Sequence, residues 1–293
     1  MTREDITIRD PYVLLHNNKY YMYGTRSLLC WDKPADINTQ GFDVYIGDDL
    51  INWSEPIEVF SRPEGFWADR NFWAPEVHEY NDSFYMFATF IGENRRRGTQ
   101  ILKANSPVGP FVVHSPEPIT PPDWECLDGT LYVDKKGTPY MVFCHEWVQI
   151  KDGTICAVQL SDDLTHPIGE PTVLFSASEP LWADKDATRY VTDGPFFFRT
   201  KDDTLLMFWS SLQNDYYVQA VARSSNGEID GQWEHLPLIL NKGDFSKDGG
   251  HGMLFADKNG RLMFTLHQPN LKYQEHPAFF DIIDLGDSVL LCD

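Results

Sequence analysis

The sequence predicts an all-β fold, a five-bladed β-propeller spanning residues 1–293 as a single domain. Three observations carry that prediction. One type of segment recurs five times along the chain, every copy folds back at a fixed distance, and further hairpins lie between the copies. No apolar period of 3.6 residues persists over a useful length, so helices have little place in the chain.

The five copies are IRDPYVLLHNNKYYMYG from Ile8, WAPEVHEYNDSFYMFA from Trp73, LDGTLYVDKKGTPYMVF from Leu127, TDGPFFFRTKDDTLLMFW from Thr192 and GHGMLFADKNGRLMFT from Gly250. Each opens on an anchor followed by Pro or Gly: Asp10-Pro11, Ala74-Pro75, Asp128-Gly129, Asp193-Gly194 and His251-Gly252. A turn begins seven residues past each anchor, at Asn17, Asn81, Lys135, Thr200 and Lys258. The Asn-, Asp-, Lys- and Gly-containing turns tolerate the positive φ of a tight hairpin. An aromatic and aliphatic run follows each turn, as a buried strand requires. Between the copies stand DVYIGDDLINWSEPIEVF from Asp43, AVQLSDDLTHPIGEPTVLF from Ala157 and VARSSNGEIDGQWEHLPLIL from Val221. Each repeat therefore supplies about four strands, the content of one blade. Anchor spacings of 64, 54, 65 and 58 residues leave room for substantial loops.

Composition narrows the ligand. A formal charge of −20 opposes nucleic acid, whose phosphates need a basic surface. The aromatic content of 14% suits both sheet packing and stacking against sugars. No uncharged apolar run reaches the length of a membrane span. Thr2-Arg3-Glu4-Asp5 follows Met1 without an apolar signal core, so a cytoplasmic location is expected. Cys30, Cys126, Cys144, Cys156 and Cys292 are scattered, without a CxxC pair, and read as free buried thiols.

In a propeller the first strand of each blade lines the central channel, so the anchors converge near the axis. Three of them are aspartates: Asp10, Asp128 and Asp193. Like charges at close range raise one another's pKa, so such a cluster is expensive unless used as acids, bases or cation ligands. Glycoside hydrolysis needs a set of this kind, with one carboxyl to protonate the leaving oxygen and another to activate water or attack the sugar.

RDPYVLLHNNKYYMYGT (Arg9 to Thr25), WAPEV (Trp73 to Val77), LDGTLYVDKKGTPYM (Leu127 to Met141) and TDGPFFF (Thr192 to Phe198) together resemble glycoside hydrolase family 43. The resemblance implies a five-bladed propeller that inverts the anomeric centre of α-L-arabinofuranosides or β-D-xylosides. It implies Asp10 as general base, Asp128 as the carboxylate that orients and tunes the acid, and Asp193 as general acid. It also implies Trp73 as an aromatic wall of the sugar subsite and His251 as a hub residue that contacts substrate and, through water, a central calcium or other cation. No cofactor is otherwise required. One departure stands out: the family's acid is a glutamate before Gly-Pro, and this chain has Asp193-Gly194-Pro195. Aspartate is shorter by one methylene, about 1.5 Å of reach. A misplacement of about 1 Å can cost roughly 100-fold in rate.

Simpler readings stand beside these. Asp10-Pro11 is also a turn former, Asp-Gly a hairpin signal, and His251 and Trp73 could serve packing alone. Strand alternation points Glu76 away from the hub. Glu146 and Glu179 are reserve acids, and Arg95-Arg96-Arg97 reads as a solvated loop. Rival functions are a carbohydrate-binding propeller without catalysis, a five-bladed glycosidase of other sugar specificity such as fructosides, and a protein-interaction propeller. The last has no use for three hub carboxylates.

Overall fold

The computed structural model describes residues 1–27, 40–243 and 245–292. It consists of five four-stranded sheets, each antiparallel and in simple chain order, forming a five-bladed propeller. Blade one holds β1 (Arg9–His16), β2 (Lys19–Thr25), β3 (Gly41–Gly47) and β4 (Ile57–Ser61). Blade two holds β5 (Arg70–Tyr80), β6 (Ser83–Gly92), β7 (Arg95–Ala104) and β8 (Val112–Val113). Blade three holds β9 (Cys126–Val133), β10 (Pro139–His145), β11 (Thr154–Leu160) and β12 (Pro167–Ser176), with the one-turn helix α1 (Trp147–Ile150) between β10 and β11. Blade four holds β13 (Asp193–Arg199), β14 (Leu205–Gln213), β15 (Tyr216–Ser224) and β16 (Trp233–His235). Blade five holds β17 (Gly250–Ala256), β18 (Leu262–Gln268), β19 (His276–Asp284) and β20 (Val289–Cys292).

Burial explains the composition of each strand. The second strands are covered on both faces by neighbouring blades, so β6 (SFYMFATFIG) and β14 (LLMFWSSLQ) are nearly continuous apolar runs. The outer strand β12 faces solvent along most of its length and carries Gly, Glu, Pro and Thr. The turns keep the expected chemistry: Asn17-Asn18 and Asn81-Asp82 have positive φ throughout, from 45° to 60°. Arg9 and the 3-10 turn Arg3–Asp5 lie beside blade five, which closes the ring. There the Ile8 N–H donates to the Glu275 carbonyl at 3.0 Å, and Arg9 pairs with the buried Glu275 carboxylate at 2.9 Å.

Every first strand carries a bulge near its start, and the bulges share one register. Arg9, Trp73, Leu127, Asp193 and Gly250 each pair across to the second strand immediately before it. The next residue has positive φ in all five blades: Asp10 (53°), Ala74 (45°), Asp128 (57°), Gly194 (51°) and His251 (52°). The anchor of blade four is therefore Gly194, and Asp193 precedes it. This corrects the expected register by one residue. Asp193 is equivalent to Arg9, Trp73 and Leu127, while Gly194-Pro195 matches Asp10-Pro11 and Ala74-Pro75. Glycine is needed at that point, because a Cβ on Gly194 would lie 2.7 Å from the His251 ring.

Blade-to-blade hydrogen bonds hold the bulges together. Ala74 N–H donates to Thr25 Oγ1 (2.7 Å), Asp128 N–H to Thr89 Oγ1 (2.9 Å), His251 N–H to Ser210 Oγ (2.7 Å) and Asp10 N–H to His267 Nδ1 (3.2 Å). The residue after the anchor is proline in three blades and offers no N–H. Where it is glycine, its N–H is met from the preceding blade: Gly129 by Thr99 Oγ1 at 3.1 Å and Gly252 by Gln219 Oε1 at 3.0 Å. The choice of Pro or Gly thus matches the available acceptors.

Three other expectations are revised. The bulge at Ala74-Pro75 resets the strand alternation. Glu76 is consequently buried, bonded to His78 at 3.1 Å and close enough to act on His251. The Arg95–Arg97 run opens β7, and its members pair with Glu117, Glu125 and Glu146 respectively. Cys126, Cys144 and Cys156 are free and buried, Cys292 is free but only half-buried, and Cys30 lies outside the described residues. No helix among the described residues is long and apolar enough to cross a membrane.

Candidate active site

A cavity of about 270 Å³ opens where the bulges converge, and its wall includes Asp10, Asp128, Asp193, Trp73 and His251. The strands thus bring together all five residues singled out from the sequence. Arg9, Thr25, Glu146, Trp147 and Tyr217 complete much of the wall. Glu179 is not among the lining residues; its nearest imidazole is that of His235, at 3.9 Å.

Asp10 is held from several sides. Thr25 Oγ1 donates to its Oδ2 at 2.7 Å, and the same hydroxyl receives the Ala74 N–H. Oδ1 faces His251 Nδ1 at 3.3 Å and His267 Nδ1 at 3.4 Å. Burial pushes the carboxyl upward, but His251, His267 and Arg9 outweigh it and hold Asp10 well below the ordinary carboxylate range. It is a fixed anion.

Asp128 is opposite in character. Burial, with the charges of Asp193 and Asp10 beside it, lifts its pKa to about 7 against the opposing pull of His251 and the Gly194 N–H. Its Oδ2 accepts that N–H at 3.0 Å and lies 3.5 Å from His251 Nδ1. Asp193 is likewise raised, by burial and by Asp10, although His251, Tyr217 and Arg9 moderate the shift. The Tyr217 hydroxyl donates to Asp193 Oδ2 at 3.0 Å, and its ring stacks on His267 with centroids 5.5 Å apart. Asp128 and Asp193 therefore both hold a proton more readily than Asp10 does.

His251 stands among the carboxylates. Burial alone would lower its pKa, but Asp10, Asp128, Glu76 and Asp193 raise it. Its Nδ1 faces two carboxylates instead of an open coordination shell. Calcium takes six to eight oxygen ligands. Among the described residues no group of three or more His, Cys, Asp or Glu side chains is arranged to hold a metal. A hub cation contacted by His251 through water, as the resemblance implies, needs no such group, and no step below passes through one.

Arg97 is the main feature the sequence did not disclose. Its guanidinium lies 4.8 Å from the centre of the Trp73 ring and pairs with the buried Glu146 carboxylate. It therefore backs two walls of the cavity and occupies Glu146, the reserve acid, in an ion pair. Only the tertiary fold brings residues 73, 97 and 146 together. Arg9, by contrast, shares its position before the bulge with Trp73, and the repeat register could have revealed it.

Comparison with known proteins agrees with this geometry. The sequence profile of glycosyl hydrolases family 43 matches residues 6–280. The chain is 36% identical to an endo-arabinase from Bacteroides thetaiotaomicron VPI-5482, with a TM-score of 0.87 over 98% of this chain and 99% of that one. An endo-1,4-beta-xylanase from the same organism shares the fold at 24% identity, with a TM-score of 0.80 over 100% and 96% of the two chains. An extracellular endo-alpha-(1->5)-L-arabinanase 1 of Bacillus subtilis (strain 168) is 22% identical over 157 residues, which are 49% of this chain and 45% of that protein. The chain thus matches less than half the length of that curated relative. With the profile spanning all five blades and three carboxylates converging at their hub, the chain belongs to glycosyl hydrolases family 43.

Proposed function

We propose that the protein is an inverting glycosidase acting on α-L-arabinofuranosides, or on β-D-xylosides, of plant-type polysaccharides and their oligosaccharides. The observation that carries the reading is the division of labour between carboxyls in one cavity. His251, His267 and Arg9 hold Asp10 well below the ordinary carboxylate range, whereas burial and neighbouring charge raise Asp128 to about 7 and push Asp193 in the same direction. A base and an acid with separated affinities for protons are what single-displacement hydrolysis requires. The similarity to an endo-arabinase over nearly the whole chain favours arabinofuranosyl substrates within this range.

In the proposed reaction Asp193 gives its proton to the glycosidic oxygen as the bond to the anomeric carbon breaks. Water attacks the opposite face of that carbon, and Asp10 takes the proton the water loses. Asp128 holds the Gly194 peptide beside the acid. Trp73 offers a ring face to the sugar, stiffened by Arg97 behind it.

Proton NMR of the first sugar released from α-linked arabino-oligosaccharides tests the reading. The β-anomer should appear first and mutarotate later; initial release of the α-anomer would contradict inversion. Parallel assays on 4-nitrophenyl α-L-arabinofuranoside and β-D-xyloside identify the sugar. Absence of turnover on these and on arabinan and xylan, with sugar binding retained, would favour a binding propeller.

A further inference from the structure

The ring of blade-to-blade hydrogen bonds has one odd junction. At four junctions an oxygen or nitrogen of the second strand accepts the N–H of the next anchor: Thr25, Thr89, Ser210 and His267. Those acceptors stand opposite Arg9, Trp73, Asp193 and Gly250 in their own hairpins. The residue opposite Leu127, at the third junction, is Cys144. Sulfur is a weak acceptor. The Cys144 thiol is fully buried and meets the Thr192 hydroxyl, while the Gly194 N–H donates to Asp128 Oδ2 at 3.0 Å.

We propose that Cys144 is a positioning residue: by withholding an oxygen from the third junction, it hands the Gly194 N–H to Asp128 and ties that carboxylate to the peptide joining Asp193 to Gly194. The inference rests on the reading of Asp128 and Asp193 as a working pair. A hydrogen bond to the ionised form favours that form. The N–H thus favours the ionised form of Asp128 against burial, and negative charge there helps Asp193 retain its proton. Ser210 shows what an oxygen does at the equivalent place, since it captures the His251 N–H at 2.7 Å.

Cys144→Ser changes a single atom and supplies an acceptor like Ser210. The Gly194 N–H then turns to the new hydroxyl, Asp128 takes a proton more readily, and Asp193 ionises at lower pH. The alkaline limb of the kcat/KM profile should move down by about 0.5–1 pH unit. Cys144→Ala removes the sulfur without adding an acceptor and should leave the limb in place, whatever it costs in melting temperature.

A second readout does not depend on turnover. In protein labelled with 15N-glycine, the Gly194 amide proton should titrate with Asp128 in the wild type and in Cys144→Ala. In Cys144→Ser its amplitude should fall at least two-fold. An unchanged Gly194 titration in Cys144→Ser, or an equal shift of the rate profile in Cys144→Ala, would overturn the assignment. If no glycoside is turned over, the hydrolase reading fails while the amide titration still decides the role of Cys144.

Discussion

At the residue scale the site depends on how three chemically identical carboxyls are made different. Asp10 has donors and cations around it, from Thr25, His251, His267 and Arg9. Asp193 has burial and the like charge of Asp10 against the weaker pull of His251, Tyr217 and Arg9. The family glutamate would reach about 1.5 Å further than Asp193. Asp193 stands before the bulge, where Trp73 and Arg9 also reach into the cavity, so its carboxyl approaches substrate from the wall and not from the anchor position at the hub. The proposed role as acid predicts a dependence on the leaving group. Asp193→Ala should lower kcat/KM on arabino-oligosaccharides by about 10²–10⁴-fold. On 4-nitrophenyl glycosides, whose leaving group needs little protonation, the loss should be at least ten-fold smaller. Steady-state kinetics on both classes check this, and equal losses would remove Asp193 from the acid role.

At the scale of elements, the bulge is the unit that builds the site. It turns the chain at each blade's inner edge, presents one side chain before the kink and one on it, and hides its N–H in the preceding blade. The conformation is left-handed at Asp10, Asp128 and His251, residue types that adopt it more readily than most non-glycine residues but still at a cost. Functional side chains at those positions therefore carry a backbone cost. Gly194 is the position where a side chain is also sterically excluded. Gly194→Ala should destabilise the fold by about 2–4 kcal/mol through the left-handed backbone and the contact with His251. Urea denaturation measures this directly, and a change below about 0.5 kcal/mol would show that the bulge is freer than described.

The same element shows what was legible in the sequence. Turn residues at constant spacing disclosed the five blades, because tight hairpins accept few residue types. The one-residue slip in blade four arose because Asp193-Gly194 imitates Asp128-Gly129, while the true equivalence runs through Gly194-Pro195. A glycine can occupy the anchor without leaving a side chain to mark it. Arg97 escaped notice because its partners Trp73 and Glu146 are 24 and 49 residues away in the chain.

For the molecule as a whole, the hub is a place where stability has been given up for chemistry. Asp128, with a folded pKa of about 7 against an ordinary value of 3.8, favours folding fully only below that ordinary value. The contribution is lost as pH rises toward and through 7. Asp10 works in the reverse sense: its stabilisation is present above the ordinary carboxyl pKa and is lost as pH falls below it. Asp128→Asn, which removes the buried charge and keeps an acceptor for the Gly194 N–H, should raise the melting temperature at pH 8 by about 5 °C. At pH 4 the gain should vanish, and activity should fall at both. Thermal melts across pH check the sign; a variant less stable than the wild type at pH 8 would contradict the buried-charge account.

These blades are proposed to place Asp10 as the base of a single-displacement hydrolysis. The most direct test is kcat/KM of Asp10→Asn beside the wild type, on an arabinofuranosyl substrate that the wild type turns over, with melting temperature and sugar affinity measured on the same preparations. Asparagine preserves the shape and the contact with Thr25 but cannot take a proton from water. The account predicts a loss of about 10³-fold or more, with a folded protein that still binds sugar. Activity within ten-fold of the wild type would contradict it.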